Sequence, residues 1–179
     1  PWTLLDGRDA SEEFAKRLLA APARRARRTS ISGALMFSLN LFKDQKFTSA
    51  RQVIDISGDG PNNMGRGVEE TRDAVVSKGV TVNGLPILLR TASLASFFDV
   101  KDLDFYYEDC VIGGPGAFIV PVLGQSQFAS AILRKIILEI AGVKPVLNPM
   151  VEPAQFSRNV QRSDCLLGEK LWRRYMGGR

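Results

Sequence analysis

Apolar residues recur along the chain at two periods, one helical and one extended. Phe14, Leu18 and Leu19 share a helical face over residues 9–21, where Asp9 and Glu12 are spaced as a capping box and Pro22 stops the run. Ile31, Leu35, Leu39 and Phe42 lie on one stripe with a period of about 3.6, which predicts a second helix over 30–43 with Thr29 at its N-cap. Residues 51–57, RQVIDIS, carry the β-branched Val53, Ile54 and Ile56 and read as a strand. The strand ends in Gly58-Asp59-Gly60-Pro61-Asn62-Asn63, a strong loop signal. A helix over 67–78 follows, closed by Gly79, and another strand begins at Val80. Within it, Asn83-Gly84 reads either as a hairpin turn or as the loop where the strand ends.

The stretch 91–110 is less regular, with a short helix expected from Ser93 to Phe98 and aromatic packing from Phe105-Tyr106-Tyr107. Residues 117–122, AFIVPV, read as a short buried strand near a sheet edge, because Pro121 has no N–H to give to a ladder. Residues 126–141 carry the clearest helical pattern. Ala129, Ile132, Leu133, Ile136 and Ile140 are expected to face inward, and Arg134, Lys135 and Glu139 outward; Gly142 and Pro145 end the helix. From Lys144 the tail is irregular until a short helix near 167–175. Helices alternating with strands make an α/β class, and the almost continuously apolar 51–57 strand suits a parallel sheet covered on both faces.

Composition narrows the chemistry. The chain of 179 residues is long enough for one domain with a core. It contains no histidine, which excludes Ser-His-Asp and Cys-His catalysis and the commonest zinc ligand. No apolar run approaches the roughly 18 residues of a membrane span. The sequence opens on Pro1-Trp2-Thr3 with no signal peptide, an opening expected of a processed or partial chain. The net charge of +5 is concentrated in Arg24, Arg25, Arg27 and Arg28, and in a tail bearing Arg158, Arg162, Lys170, Arg173, Arg174 and Arg179. No recognition helix, zinc finger or aromatic platform accompanies these patches, so they read as solvated or partner-facing surface, not as a nucleic-acid site. Cys110 and Cys165 are too few for a structural zinc site; spacing leaves a disulfide and two buried thiols equally open.

Ligands of parallel α/β sheets bind at the carboxyl ends of the strands. The loop after 51–57 is such an end and carries Asp59, Asn62 and Asn63; Thr29 opens the helix expected to pack beside it. A carboxylate and a hydroxyl, supplemented by water, suit Mg²⁺ or Ca²⁺. A plain helix cap at Thr29 and a turn residue at Asp59 stand beside that reading. Asp55 and Ser57 alternate along the strand and share a face; a carboxylate there is expected to be hydrogen-bonded into the structure. The glycines of CVIGGPGAF lack the Gly-x-x-x-x-Gly-Lys phosphate pattern and read as tight turns.

The segments RRTSISGAL (27–35), RQVIDISGDGPNN (51–63), GVTVNGLPIL (79–88) and YYEDCVIGGPGAFIVPV (106–122) resemble a bacterial family of unknown function with a von Willebrand factor A-like domain, over roughly residues 1 to 142. The resemblance implies a doubly wound, mostly parallel sheet with helices on both faces and a metal-ion-dependent adhesion site. In that site an Asp-x-Ser-x-Ser motif on the first strand, a Thr before a helix and an Asp after a central strand hold the cation, and a partner's carboxylate commonly completes the shell. Thr29 matches the threonine; Asp59 matches the aspartate, with Gly58 where a threonine usually stands. The Asp-x-Ser-x-Ser motif has no match, and reading Asp55-Ile56-Ser57-Gly58-Asp59 as its substitute would invert the strand order. The N-terminal strands are therefore expected to be missing from this chain.

The resulting expectation is a von Willebrand factor A-like domain at 1–143 and a basic C-terminal extension at 144–179 that packs on the domain or a partner. Its function would be divalent-cation-dependent protein binding, not enzymatic, with Thr29 and Asp59 on Mg²⁺ or Ca²⁺ and Asp55, Ser57, Asn62 and Asn63 at the rim or behind it. Family members resemble exported proteins, which implies a periplasmic or secreted location and favours a Cys110–Cys165 disulfide. A missing N-terminal segment or another subunit would cover the open sheet edge left by the absent strands. The alternative is a structural or assembly subunit whose metal site is vestigial.

Overall fold

The computed structural model describes residues 2–22, 28–44, 46–88, 100, 102–141 and 162–177. Two strands, β1 (Gln52–Gly58) and β2 (Val80–Pro86), pair in parallel from Gln52↔Val80 to Gly58↔Pro86. The third line of the sheet expected at 117–122 is thinner than a full strand. Parallel bridges Gly84↔Ile119 and Ile87↔Val122 join it to the far edge of β2. Pro121 has no N–H, so the backbone bonds fall on Val120 and Val122, which donate to Gly84 and Pro86. Among the described residues β1 pairs with β2 alone.

The pleat sends alternate side chains to opposite faces, and two cores result. On one face Ile54 and Ile56 of β1 and Val80 and Val82 of β2 meet Ile31 and Leu35 of α2 (Ile31–Leu41), Val68 and Val75 of α3 (Val68–Val76), and Tyr106, Tyr107 and Val111. The last three belong to α4 (Leu103–Tyr106) and the wide π turn, Tyr107–Val111, that continues it. On the other face Leu85, Val120 and Val122 meet Ala131 of α5 (Phe128–Ala141). The chain is thus a mixed α/β protein with a small parallel sheet between helices.

Several helices follow the sequence pattern and two depart from it. In α2, Ile31 and Leu35 are buried and Leu39 and Phe42 pack against the same core, as the stripe predicts. Gly79 closes the turn after α3 in the left-handed region, φ +81°. Asn83 and Gly84, however, form neither a hairpin nor a strand end: both lie inside β2. Helix α1 (Arg8–Ala20) buries no side chain and exposes Leu18 and Leu19; its N-cap is Gly7, and no capping box forms at Asp9. The N-terminal segment is held instead by Trp2, whose indole Nε1 donates to the Leu41 carbonyl and whose ring lies 5.5 Å from that of Phe42.

Helix α5 keeps only Ile132 of its expected inward face, partly buried against the second core. Ala131 and Lys135 are buried, while Leu133, Ile136 and Ile140 are exposed, Ile140 to 82%. The cause is polar: Asp55 projects from β1 toward this helix, and Lys135 turns inward to meet it. The short helix expected from Ser93 to Phe98, and Gly142 and Pro145, lie outside the described residues. The glycine run before residue 117 makes turns, with Gly114 and Gly116 at positive φ.

Candidate functional site

The mouth at the carboxyl end of β1 is built from two loops that grip each other. The Thr29 N–H donates to Asn63 Oδ1 at 2.8 Å, and the Asn63 N–H donates to the Thr29 carbonyl at 2.9 Å. This exchange brings the Thr29 hydroxyl to 3.9 Å from where a Cβ would stand on Gly60, the residue after Asp59. The cap of α2 is Ser30, not Thr29: its hydroxyl accepts from the Gly33 N–H at 3.2 Å. The Thr29 side chain is therefore released from helix capping.

Asn62 and Asn63 act as struts. Asn62 is fully buried; its Oδ1 accepts from the Ser32 N–H at 3.1 Å, and its Nδ2 donates to the Arg66 carbonyl and, at 2.7 Å, to Glu169 Oε1. Its backbone N–H donates to the Tyr106 hydroxyl at 3.1 Å. With these groups engaged within the chain, both asparagines shape the mouth and hold α2 to the loop. Asp59 is exposed, and no described residue is hydrogen-bonded to its carboxylate. Behind it, Gly58 lies against the Tyr107 hydroxyl, which is buried and has no hydrogen-bond partner among the described residues. Burial pushes the Tyr107 phenol well above its ordinary range, and the neighbouring Tyr106, Asp59 and Asp55 push the same way.

Asp55 belongs to a different cluster. Its carboxylate is ion-paired with Lys135, which also donates to Glu139 Oε1 at 2.6 Å. Asn83, the register partner of Asp55, donates to Glu139 Oε1 at 2.9 Å and accepts from the Phe118 N–H at 3.2 Å. Burial raises the Asp55 pKa, against the opposing pull of the Lys135 hydrogen bond and charge. Asp55 is thus anchored to α5, as the sequence suggests. Ser57 is exposed on β1, two residues along the same face. The candidate residues therefore divide: Thr29, Asp59, Asn62 and Asn63 gather at the mouth, whereas Asp55 joins the charged lock under α5.

A C-terminal helix completes the mouth. Helix α6 (Leu167–Gly177) lays Gly168 against Pro61 and the Asn62 carbonyl, where a Cβ would collide. Trp172 lies under the Arg28 guanidinium, 4.2 Å from it. Ahead of the helix, Cys165 is disulfide-bonded to Cys110 of the π turn, the Ser163 N–H donates to Asp109 Oδ2 at 2.7 Å, and Arg162 pairs with Glu69. Glu169, Trp172 and Tyr107 are the contributors that sequence patterns miss. Nothing in their spacing distinguishes them from a solvated tail or a core aromatic.

Thr29 and Asp59 are hard oxygen donors of the type Mg²⁺ and Ca²⁺ take, but such ions want about six ligands. No group of three His, Cys, Asp or Glu residues able to hold a metal occurs among the described residues. Thr29 and Asp59 alone would leave most of such a shell to other ligands. No described helix is long and apolar enough to cross a membrane. Residues 1–144 match the family described as "Protein of unknown function (DUF1194)". No curated protein and no solved structure matches the chain.

Proposed function

The chain belongs to this family of proteins of unknown function, and from that premise we propose that it is a divalent-cation-dependent protein-binding module of an exported bacterial protein, with a von Willebrand factor A-like architecture. The observation that carries the reading is the meeting of Thr29 with the Asp59–Gly60 turn, the hydroxyl lying 3.9 Å from the Cβ position of Gly60. It supports the pairing of a threonine before a helix with an aspartate after a strand that the resemblance implies. Parallel pairing of β1 with β2, and helices over both faces, support the architecture. Two protein oxygens are too few to hold Mg²⁺ or Ca²⁺ firmly, so a partner's carboxylate and water complete the shell. Cation and partner then bind together, without catalysis. The Cys110–Cys165 disulfide is compatible with an extracellular location.

A second reading, a structural subunit with a vestigial metal site, is favoured by the absence of a three-carboxylate cluster among the described residues and by the exposed Leu133, Ile137 and Ile140 of α5. The two separate in one experiment on the full-length protein. At ten times its Kd, Mg²⁺ stabilises by about 1.4 kcal/mol, roughly 4 °C in Tm. Wild type is expected to show that shift and Asp59→Ala to lose it. Absence of a Mg²⁺ shift in both proteins sinks the cation reading. Capture of a partner that persists in chelator supports the subunit reading.

A further inference from the structure

Asn62 belongs to a loop, yet it is fully buried, and the far end of the chain joins α2 and Tyr106 in enclosing it. Gly168 presses on its carbonyl, Glu169 accepts from its amide, and Trp172 stacks with Arg28 on the neighbouring residue of the Thr29 loop. Within α6, Gly168 alone is buried, and Tyr175 and Met176 are exposed. One oxygen of Glu169 is buried with no hydrogen-bond partner among the described residues, a contact that favours departure. A covalent tether adds to the Ser163–Asp109 hydrogen bond and the Arg162–Glu69 pair ahead of the helix: Cys165, two residues before α6, is bonded to Cys110, which is wholly buried in the core.

We propose that residues 162–177 are a redox-released latch over the Thr29–Asn62 mouth, closed while the Cys110–Cys165 bond is intact and opened by a dithiol reductant. Cys165 is the less buried of the two residues, so a reductant thiolate attacks its sulfur and Cys110 leaves as thiolate. The second thiol of the reductant then displaces Cys165 and closes its own ring. Two electrons pass to the protein, which ends with two protonated cysteines, and the reductant ends as a cyclic disulfide. Freed of its tether, α6 leaves the Asn62 amide and carbonyl open to a partner and releases the Arg28 guanidinium from Trp172. Only this consequence rests on the protein-binding reading; the latch itself does not require a metal.

Hydrogen exchange of the full chain, measured without metal, tests the latch. With dithiothreitol, exchange in 167–177 and 58–66 is expected to rise at least tenfold more than in residues 52–57 and β2. Gly168→Val, with the disulfide intact, is expected to raise exchange in the same two segments by pushing α6 off the Asn62 carbonyl. Unchanged protection of α6 after reduction overturns the latch, since packing alone would then hold the helix. An equal rise in residues 52–57 and β2 overturns it too, because the bond would then staple the whole fold. Loss of α6 protection in Gly168→Val with 58–66 still protected overturns the cover over the mouth.

Discussion

Lys135 is 2% exposed, a rare state for a lysine, and its ammonium is tolerable only because Asp55 and Glu139 flank it. Removing one member of such a group strands the others. Lys135→Met keeps the apolar stem but leaves two carboxylates facing each other, and is expected to cost about 3 kcal/mol in urea unfolding. The Asp55 carboxyl gives a pH signature of definite sign. Its pKa in the folded protein is raised above 3.8 by burial, so the fold favours its protonated form. That stabilisation is fully present below pH 3.8 and is lost as pH rises through the folded value. Wild type is therefore expected to lose stability relative to Asp55→Asn between pH 3.5 and 7. A stability difference that stays flat, or grows, over that range contradicts the assignment. The strand pattern makes the anchoring of Asp55 readable, because a carboxylate amid β-branched residues needs a partner. The partner is not readable: Lys135 occupies a position that helical periodicity assigns to solvent, and only the approach of α5 to β1 reverses it.

Among the elements, β2 makes the most exacting demand. Gly84 faces the Tyr107 ring so closely that a Cβ would lie 2.8 Å from Cδ1 and 3.1 Å from the Ile112 methyl. Both neighbours are tied down, Tyr107 by full burial and Ile112 by its N–H to the Tyr107 carbonyl. Gly84→Ala is expected to destabilise by about 2 kcal/mol through overpacking, read as a fall in the denaturation midpoint with an unchanged slope. A neutral result would mean that the ring yields. Here the sequence misleads in an instructive way. Asn-Gly between apolar residues is a strong hairpin signal, but this glycine is selected for the absence of a side chain against an aromatic ring, not for a turn. The strands and the helices α2 and α3 are readable because their apolar residues are covered by one core or the other. Helices α1 and α5 are not, since their apolar residues stay largely exposed among the described residues and periodicity alone cannot say which face is covered.

Across the molecule, the packing expected at the strand end brings Thr29 and Asp59 within prospect of each other in the sequence, and the resemblance adds a motif; spacing alone leaves a plain cap and a turn residue equally open. Tertiary structure changes that balance, since Ser30 takes the cap and the Asn63 exchange carries Thr29 to the loop. The disulfide is similarly undecided by spacing and fixed by the docking of residues 162–177. Its effect on stability follows from which state it restrains. A bond spanning 55 residues removes conformational freedom from the unfolded chain worth about 4 kcal/mol in the chain-entropy model. That full amount is lost on removal only if the native state is equally well docked with and without the bond. Where α6 comes away, the folded state recovers part of the same freedom, and the net loss shrinks. Cys110→Ser/Cys165→Ser is therefore expected to lower the unfolding free energy by clearly less than 4 kcal/mol, about half of it, when unfolding in urea is followed by far-ultraviolet circular dichroism. A loss of the whole amount would mean that Gly168, Glu169 and Trp172 hold the helix unaided. The mouth at Thr29 and Asn62 would then be permanently covered, and a binding partner would have to approach it from the Asp59 side.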